Sequence, residues 1–280
     1  MTAAHLETVL GLPSMSTTTS QSGYAPVNGL KLYYETYSDG AGQPLILIHG
    51  GFGLVSMFAP LLPGLAAGRQ VIGVELQAHG HTADIDRPFS YEQFGDDIAA
   101  LITHLGLGKA DVLGYSFGGG AALQTAIRHP DVVRKLVVVS APCKRHGWFP
   151  DVLTGMGSIN AEATIGTPMH QAYVSVAPNA ANWPNLANKT RNLLARDYDW
   201  SAQMAAMRIP ALLVFSDADS IPPAHAAEMF ALLDGGKRDA GWDGQGRPTS
   251  RLAIVAGSTH YDILSHVDVL LPTLTTFLDA

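Results

Sequence analysis

Residues 112–120 read Val-Leu-Gly-Tyr-Ser-Phe-Gly-Gly-Gly, and the organisation of the chain can be worked out from this stretch. Its apolar start predicts a buried strand, and the residues from Phe117 to His129 predict a helix. A serine at so sharp a turn from strand to helix takes a strained backbone conformation, which requires small residues two positions away on each side. Gly114 and Gly118 meet that requirement. The stretch therefore predicts that Ser116 is an exposed nucleophile at the end of a strand.

Other apolar runs of strand length alternate with helix-like stretches. A hairpin is predicted around Asn28-Gly29, since this pair tolerates the positive φ angles of a tight turn. Further strands are predicted at residues 45–48, 71–74, 112–113, 136–139, 211–215 and 252–255. Because such runs suit strands that are buried on both faces, we expect an α/β fold with a mainly parallel sheet of about eight strands between helices.

The alternation stops between residues 143 and 207, which are rich in aromatic residues and methionine but lack strand periodicity. We interpret this stretch as a helical insertion between two sheet strands. The core domain then comprises residues 23–142 and 208–280, and residues 1–22, which end in a Ser/Thr-rich tract, are predicted to form a flexible leader. Residues 235–250 contain five glycines and are predicted to form an exposed loop.

Composition excludes several classes of protein. The formal net charge is −7 without a dense Lys/Arg run, so nucleic-acid binding is not expected. No apolar stretch approaches the ~20 residues that span a bilayer, and the N-terminus lacks the basic start of a secretory signal. The lone Cys143 cannot form an internal disulfide. We therefore expect a cytoplasmic protein without a membrane partner. Whether it forms a homo-oligomer is left open by the sequence.

Glycines also follow the predicted strand at residues 45–48, in His49-Gly50-Gly51-Phe52-Gly53. Backbone N–H groups of such a loop can approach a substrate oxygen closely. The N–H of Phe117, directly after the nucleophile, points to the same place in this arrangement. We predict an oxyanion hole formed by Gly51 and Phe117, with Phe52 as the alternative to Gly51.

A serine hydroxyl needs a base to take its proton, and the base needs a group that orients it. Asp217 and Asp219 lie just beyond a predicted strand, and His260 lies just beyond the last one. In open α/β sheets the ligand crevice lies at these strand ends. Ser116, a carboxylate and His260 are therefore predicted to meet there.

With these motifs the chain resembles the α/β-hydrolase superfamily over residues 24–279, in the branch of small serine hydrolases. That branch includes esterases, enol-lactonases, carbon–carbon bond hydrolases and haloperoxidase-like enzymes. The resemblance implies that the acid is the second carboxylate of the segment before Pro222, which is Asp219, with Asp217 as the alternative. It also implies that residues 143–207 form a cap over the site.

One segment, residues 75–82, departs from the pattern of the family. It reads Glu-Leu-Gln-Ala-His-Gly-His-Thr, so that Ala78 replaces a glycine that would reach positive φ easily. Glu75 and Gln77 could line the floor of the site, although a role in loop structure is the preferred interpretation. His79 and His81 alternate as metal ligands can, but no neighbouring residues in the sequence complete a ligand set, so no metal is predicted.

The sequence therefore predicts a serine hydrolase that cleaves a small carboxylic ester or lactone through an acyl-enzyme, without a cofactor. The alternatives are carbon–carbon bond hydrolysis, a haloperoxidase-like perhydrolase and, outside enzymes, a slow-turnover ligand receptor. Bulky side chains of the insertion and the oxyanion loop are the candidate substrate contacts, namely Phe52, Trp148, Phe149 and Trp183, with Met156 and Tyr173 as further wall residues.

Overall fold

The computed structural model describes residues 19–280, in which seven strands form one sheet. The strands are β1 (Thr19–Val27), β2 (Leu30–Ile48), β3 (Arg69–Glu75), β4 (Ala110–Tyr115), β5 (Val133–Val139), β6 (Ala211–Ala218) and β7 (Arg251–Thr259). The helices of the described residues are α1 (Leu62–Leu65), α2 (Tyr91–His104), α3 (Phe117–Arg128), α4 (Pro150–Gly157), α5 (Pro168–Val176), α6 (Trp183–Leu194), α7 (Ser201–Ala206), α8 (Pro223–Leu232) and α9 (Val267–Leu278).

Strand β2 is unusually long because it continues from the hairpin into the centre of the sheet. Its residues 33–37 pair with residues 75–71 of β3, so the two segments run in opposite directions. Its residues 45–48 pair with residues 71–74 of β3, and these two segments run in the same direction. Strand β3 thus lies between two arms of β2. Counting the arms separately gives eight strand segments, and β4 to β7 extend the sheet in parallel from the second arm. The predicted α/β class is confirmed.

The N-terminal strand begins earlier than the sequence suggested. Residues 19–22, which we assigned to the flexible leader, belong to β1, where Gln21 pairs with Thr36 and Ser22 with Glu35. Pairing of this kind uses backbone groups, so a polar edge strand needs no apolar pattern. The rest of the predicted leader, residues 1–18, lies outside the described residues. The hairpin turn is as predicted, with φ of 46° at Asn28 and 80° at Gly29.

Both faces of the sheet are covered by helices. On one face α2 and α3 pack closely, and α2 has an apolar stripe that is fully buried at Phe94, Ile98, Leu101 and Ile102. On the other face α1 and α9 form a second cluster with Leu45, Leu47 and Val137. Helix α9 begins at Val267, so Pro272 lies inside the helix.

The stretch from residue 143 to residue 207 contains helices α4 to α7 and lies between β5 and β6. We call it the helical insertion. Its two ends are pinned together, since Trp200 N–H donates to the Cys143 carbonyl (2.9 Å) and Arg145 N–H donates to the Tyr198 carbonyl (2.9 Å). Cys143 is free and buried. Residues 235–250 form the predicted loop without helix or strand.

Across residues 19–280, no helix has both the length and the apolar character needed to cross a membrane.

Asp97 fastens the hairpin and the loop after β3 to helix α2. Its buried carboxylate accepts hydrogen bonds from both Arg87 terminal nitrogens (3.1 and 2.5 Å) and from Asn28 Nδ2 (2.9 Å). Asp97→Ala removes this acceptor and leaves the Arg87 guanidinium without an anionic partner, with its Nε bond to Gln77 Oε1 (2.8 Å) remaining. We expect the free energy of unfolding, measured with urea, to fall by about 3–5 kcal/mol.

The adjacent Asp96 is a matched control on the same helix. Its carboxylate pairs with Arg128 and His129 near the surface. Asp96→Ala should therefore cost about 1 kcal/mol or less. Equal losses for the two alanine variants would show that Asp97 has no special role.

Candidate active site

Ser116 lies in the turn that joins β4 to α3, and its backbone has φ 52° and ψ −117°. A left-handed φ is unfavourable for serine, so the surroundings must impose it. An added Cβ at Gly114 would lie 2.1 Å from the Gly118 carbonyl oxygen, and one at Gly118 would lie 2.3 Å from the Ile48 carbonyl oxygen. Only glycine fits at both positions. The strand and the helix therefore approach closely enough to hold the turn, as the sequence predicted.

Three side chains form a hydrogen-bonded chain across the strand ends. Ser116 Oγ lies 2.9 Å from His260 Nε2, and His260 Nδ1 lies 2.9 Å from Asp219 Oδ1. A carboxylate at this position accepts from Nδ1–H, which leaves Nε2 as the acceptor for the serine hydroxyl. This is the arrangement in which a hydroxyl can lose its proton to an imidazole while attacking an electrophile.

Three residues to which the sequence analysis gave no such role hold this chain in place. Ser140 Oγ donates to Asp219 Oδ2 (2.6 Å), and the backbone N–H of Ser216 donates to the same oxygen (3.0 Å). Tyr115 donates its hydroxyl to the His260 carbonyl (2.5 Å). Ser140 directly follows β5, so its position at a strand end was a signal that could have identified it.

Asp217 has a different position from Asp219. Its carboxylate accepts from the backbone N–H groups of Gly257 (2.9 Å) and Ser258 (3.2 Å), and these bonds, the Gly257 one foremost, lower its pKa. Asp217 therefore braces the chain just before His260 without contacting the imidazole. This matches the loop role considered for it from the sequence.

The glycine-rich loop lies beside the nucleophile. Within the described residues, no acceptor is found for the backbone N–H groups of Gly51, Phe52 or Phe117. The loop is fixed by His49, which accepts from Leu76 N–H at Nε2 (3.1 Å) and donates from Nδ1 to the Gly50 carbonyl (2.7 Å). Burial lowers the pKa of His49 to about 4, so the imidazole is neutral at pH 7, as its acceptor role requires.

A cavity of about 650 Å³ opens above Ser116. The core supplies the floor and the helical insertion supplies most of one wall. Its lining residues are Gly50, Gly51, Phe52, Met57, Tyr91, Tyr115, Ser116, Phe117, Trp148, Asp151, Val152, Gly155, Met156, Ile159, Met169, Thr190, Leu194, Ser220, His260 and Tyr261. Of the candidate substrate contacts, this lining includes Phe52, Trp148 and Met156. The Trp148 ring lies edge-on to His260, 5.5 Å between centroids.

The other candidate contacts lie outside the lining. Trp183 packs behind Phe52 (ring centroids 5.3 Å apart) and donates its indole N–H to Thr164 Oγ1 (3.0 Å). Tyr173 packs against Trp183 inside the helical insertion. Phe149 is 39% exposed at the start of α4. Trp183 and Tyr173 thus pack inside the insertion, and none of the three side chains lines the cavity, so they are not proposed as substrate contacts.

The turn after β3 contains a left-handed residue that is not glycine. Ala78 has φ 63°, so the left-handed conformation persists although the residue is not glycine. Glu75 and Gln77 are buried, but neither lines the cavity. Gln77 Nε2 donates hydrogen bonds to Asp84 Oδ1 (2.8 Å) and to the Arg87 carbonyl (2.9 Å), both in the loop after β3. Both side chains therefore have the structural role that was preferred for them.

The fold brings Glu35 and Glu75 close to His81, which the sequence could not reveal. Their potential ligand atoms lie within 4.8 Å of one another. Hydrogen bonds account for this cluster, however, because Glu75 accepts from Val55 N–H and from His81, and Glu35 accepts from the Tyr33 and Tyr37 hydroxyls. His79 is buried against His49 and Phe117 and takes no part in the cluster.

Comparison with known proteins identifies the family. The model of the alpha/beta hydrolase fold family matches residues 43–161. The pimeloyl-[acyl-carrier protein] methyl ester esterase of Neisseria meningitidis serogroup B is 30% identical over 262 residues, which are 85% of this chain and 94% of the relative. This chain belongs to the α/β-hydrolase family.

Two further comparisons indicate the range of proteins that this α/β-hydrolase resembles. The 2-hydroxymuconate semialdehyde hydrolase of Pseudomonas sp. (strain CF600) is 36% identical over 109 residues, but these are only 38% of each chain. The enol-lactonase of Burkholderia xenovorans LB400 superposes with a TM-score of 0.71 at 21% identity, covering 92% of this chain and all of that one. The structural likeness establishes the fold.

The two carboxylates after β6 can be separated by substitution. Asp219→Asn keeps the shape of the side chain but favours the wrong imidazole tautomer, so we expect kcat for an activated ester to fall by about 10⁴-fold. Asp217→Asn should leave kcat within about 10-fold, because Asp217 contacts backbone and not His260. The measurement is steady-state hydrolysis by both variants, with circular dichroism to check folding. The reverse ranking would make Asp217 the orienting residue.

Proposed function

We propose that this α/β-hydrolase cleaves a neutral carboxylic ester or lactone through an acyl-enzyme on Ser116. The observation that carries the proposal is the chain from Ser116 Oγ through His260 to Asp219, with both contacts at 2.9 Å. It lies on the floor of a cavity large enough for a small organic molecule.

In the first half of the reaction, Ser116 Oγ forms a bond to the substrate carbonyl carbon while its proton passes to His260 Nε2. Asp219 stabilises the imidazolium that results. The carbonyl oxygen gains negative charge and accepts from the N–H of Phe117 and from that of Gly51 or Phe52. Each such donor typically accounts for about 10²–10³ in rate. The bond to the alcohol oxygen then breaks, and His260 gives this oxygen its proton.

In the second half, water replaces the alcohol. His260 Nε2 takes a proton from the water as its oxygen attacks the acyl carbon, and the same oxyanion donors stabilise the second intermediate. The bond to Ser116 Oγ breaks, the serine recovers its proton from His260, and the carboxylic acid leaves. Every step uses residues of this chain and the two substrates, ester and water, so the mechanism requires no metal or cofactor.

The charge of the cavity favours a neutral substrate. Among the described residues that line it there is no Lys or Arg, and Asp151 adds a negative group. A carboxylate buried in this lining would lack a cation, which is strongly unfavourable. The lack of a cation among these lining residues supports hydrolysis of an ester or lactone over the cleavage of carbon–carbon bonds in dicarboxylic compounds. One relative, which matches 38% of this chain, is nevertheless a semialdehyde hydrolase.

Two activated esters with acyl chains of four carbons test the proposal. We expect multiple turnovers of 4-nitrophenyl butyrate, and a kcat/KM for the 4-nitrophenyl monoester of succinic acid at least about 100-fold lower. The second ester differs by a terminal carboxylate, whose burial without a cation costs several kcal/mol. The release of 4-nitrophenolate is followed by absorbance.

Ser116→Ala is the control for these rates, and it should lower kcat by at least about 10⁴-fold. Release of a single equivalent of nitrophenolate by the wild type would indicate a slow-turnover receptor instead. A preference for the succinate monoester would contradict the neutral substrate and support a carboxylate-bearing one.

A further inference from the structure

The wall of the cavity contains a buried hydroxyl that has no partner. Thr190 lies on α6, is 1% exposed and lines the cavity. Its Oγ1 makes no hydrogen bond with any residue in the described part of the chain. Buried polar side-chain atoms are nearly always hydrogen-bonded, and leaving one unpaired costs free energy. This hydroxyl therefore requires an explanation.

Other helical threonines show what Thr190 could have done. Apart from Thr276, which is exposed, the other threonines in the described α-helices donate to the carbonyl four residues earlier, which is the usual local solution. These are Thr103, Thr125, Thr154, Thr273 and Thr275. Thr190 does not donate to Leu186 in this way. Its hydroxyl is left available although a local acceptor lies one turn away.

Both neighbours of Thr190 in the sequence are anchored. Lys189 Nζ binds both carboxylate oxygens of Asp84 (2.7 and 2.8 Å), and so ties α6 to the loop after β3. Arg191 donates to the Ile159 carbonyl (3.3 Å). Leu194, one turn after Thr190, lines the same cavity. The side of α6 that carries Thr190 and Leu194 is thus held against the cavity.

We propose that Thr190 selects substrates that carry a neutral oxygen acceptor, a ketone or hydroxyl oxygen, at the end of the molecule that faces α6. This inference rests on the proposed function and adds a specificity-determining residue to it. The hydroxyl of Thr190 donates to that oxygen, which satisfies both groups inside an otherwise largely apolar lining. An unsubstituted alkyl chain leaves the Thr190 hydroxyl unpaired, and a carboxylate meets no cation there.

The test compares pairs of 4-nitrophenyl esters that have acyl chains of equal length. One member of each pair is unsubstituted, and the other has a ketone at carbon 4, 5 or 6. The readout is the ratio of kcat/KM for the oxo ester to kcat/KM for the unsubstituted ester. For at least one ketone position, we expect this ratio to be about 5- to 10-fold lower in Thr190→Val than in the wild type. A loss of this size corresponds to one neutral hydrogen bond.

Thr190→Val keeps the shape of the side chain and removes only the hydroxyl. Because this hydroxyl has no protein partner, the variant should keep its melting temperature within about 3 °C of the wild type, or raise it. Thr103→Val is the matched control, since Thr103 lies on α2 outside the cavity lining and donates to the Ala99 carbonyl. It should leave the ratio unchanged.

The outcomes separate this inference from the function on which it rests. If the wild type hydrolyses none of the esters, the proposed function is overturned. If it hydrolyses them but the ratio in Thr190→Val equals that of the wild type at every ketone position, the role of Thr190 alone is overturned. The same holds if Thr103→Val changes the ratio as much as Thr190→Val does.

Discussion

The contact between Gly118 and the carbonyl groups of Ile48 and His49 is the constraint on which the site depends. A methyl group at residue 118 would lie 2.3 and 2.4 Å from these two oxygens. Without a side chain, the first turn of α3 can rest directly on the end of β2. The nucleophile and the glycine-rich loop are therefore adjacent, and an added Cβ at Gly51 would lie 3.6 Å from Phe117 Cβ.

From this contact the remaining parts follow along the sheet. Strands β4, β5, β6 and β7 are parallel neighbours, so the residues that follow them meet at one edge. Ser116 follows β4, Ser140 follows β5, Asp219 follows β6 and His260 follows β7. Each strand thus supplies one polar group to the hydrogen-bonded chain. The sheet explains how residues more than a hundred positions apart come within 3 Å.

The parts of the site that could be predicted from the sequence are those with a local signal. Gly114 and Gly118 indicate the turn at Ser116, and an apolar strand followed by a polar residue indicates Asp219 and His260. Thr190 has no such signal, because only the packing of α6 against the cavity distinguishes it from the other helical threonines. Trp183 illustrates the opposite error, since an aromatic residue in an insertion is as easily part of its internal core as of the cavity wall.

The extent of the strands was likewise beyond local prediction. The long β2 results from its pairing with both β1 and β3, and the start of β1 depends on backbone pairing with β2. Neither leaves a hydrophobic pattern in residues 19–22 or 38–43. The turn at Ala78 shows that tertiary contacts can impose a left-handed backbone where the sequence lacks glycine.

The central claim is that His260 activates Ser116, and the rate of labelling by a fluorophosphonate tests it most directly. The reagent is attacked by the same hydroxyl that attacks an ester, and peptide mapping identifies the labelled residue. The account predicts an adduct on Ser116 in the wild type and a labelling rate at least about 10³-fold lower in His260→Ala. Labelling of another serine, or equal rates in the two proteins, would contradict it.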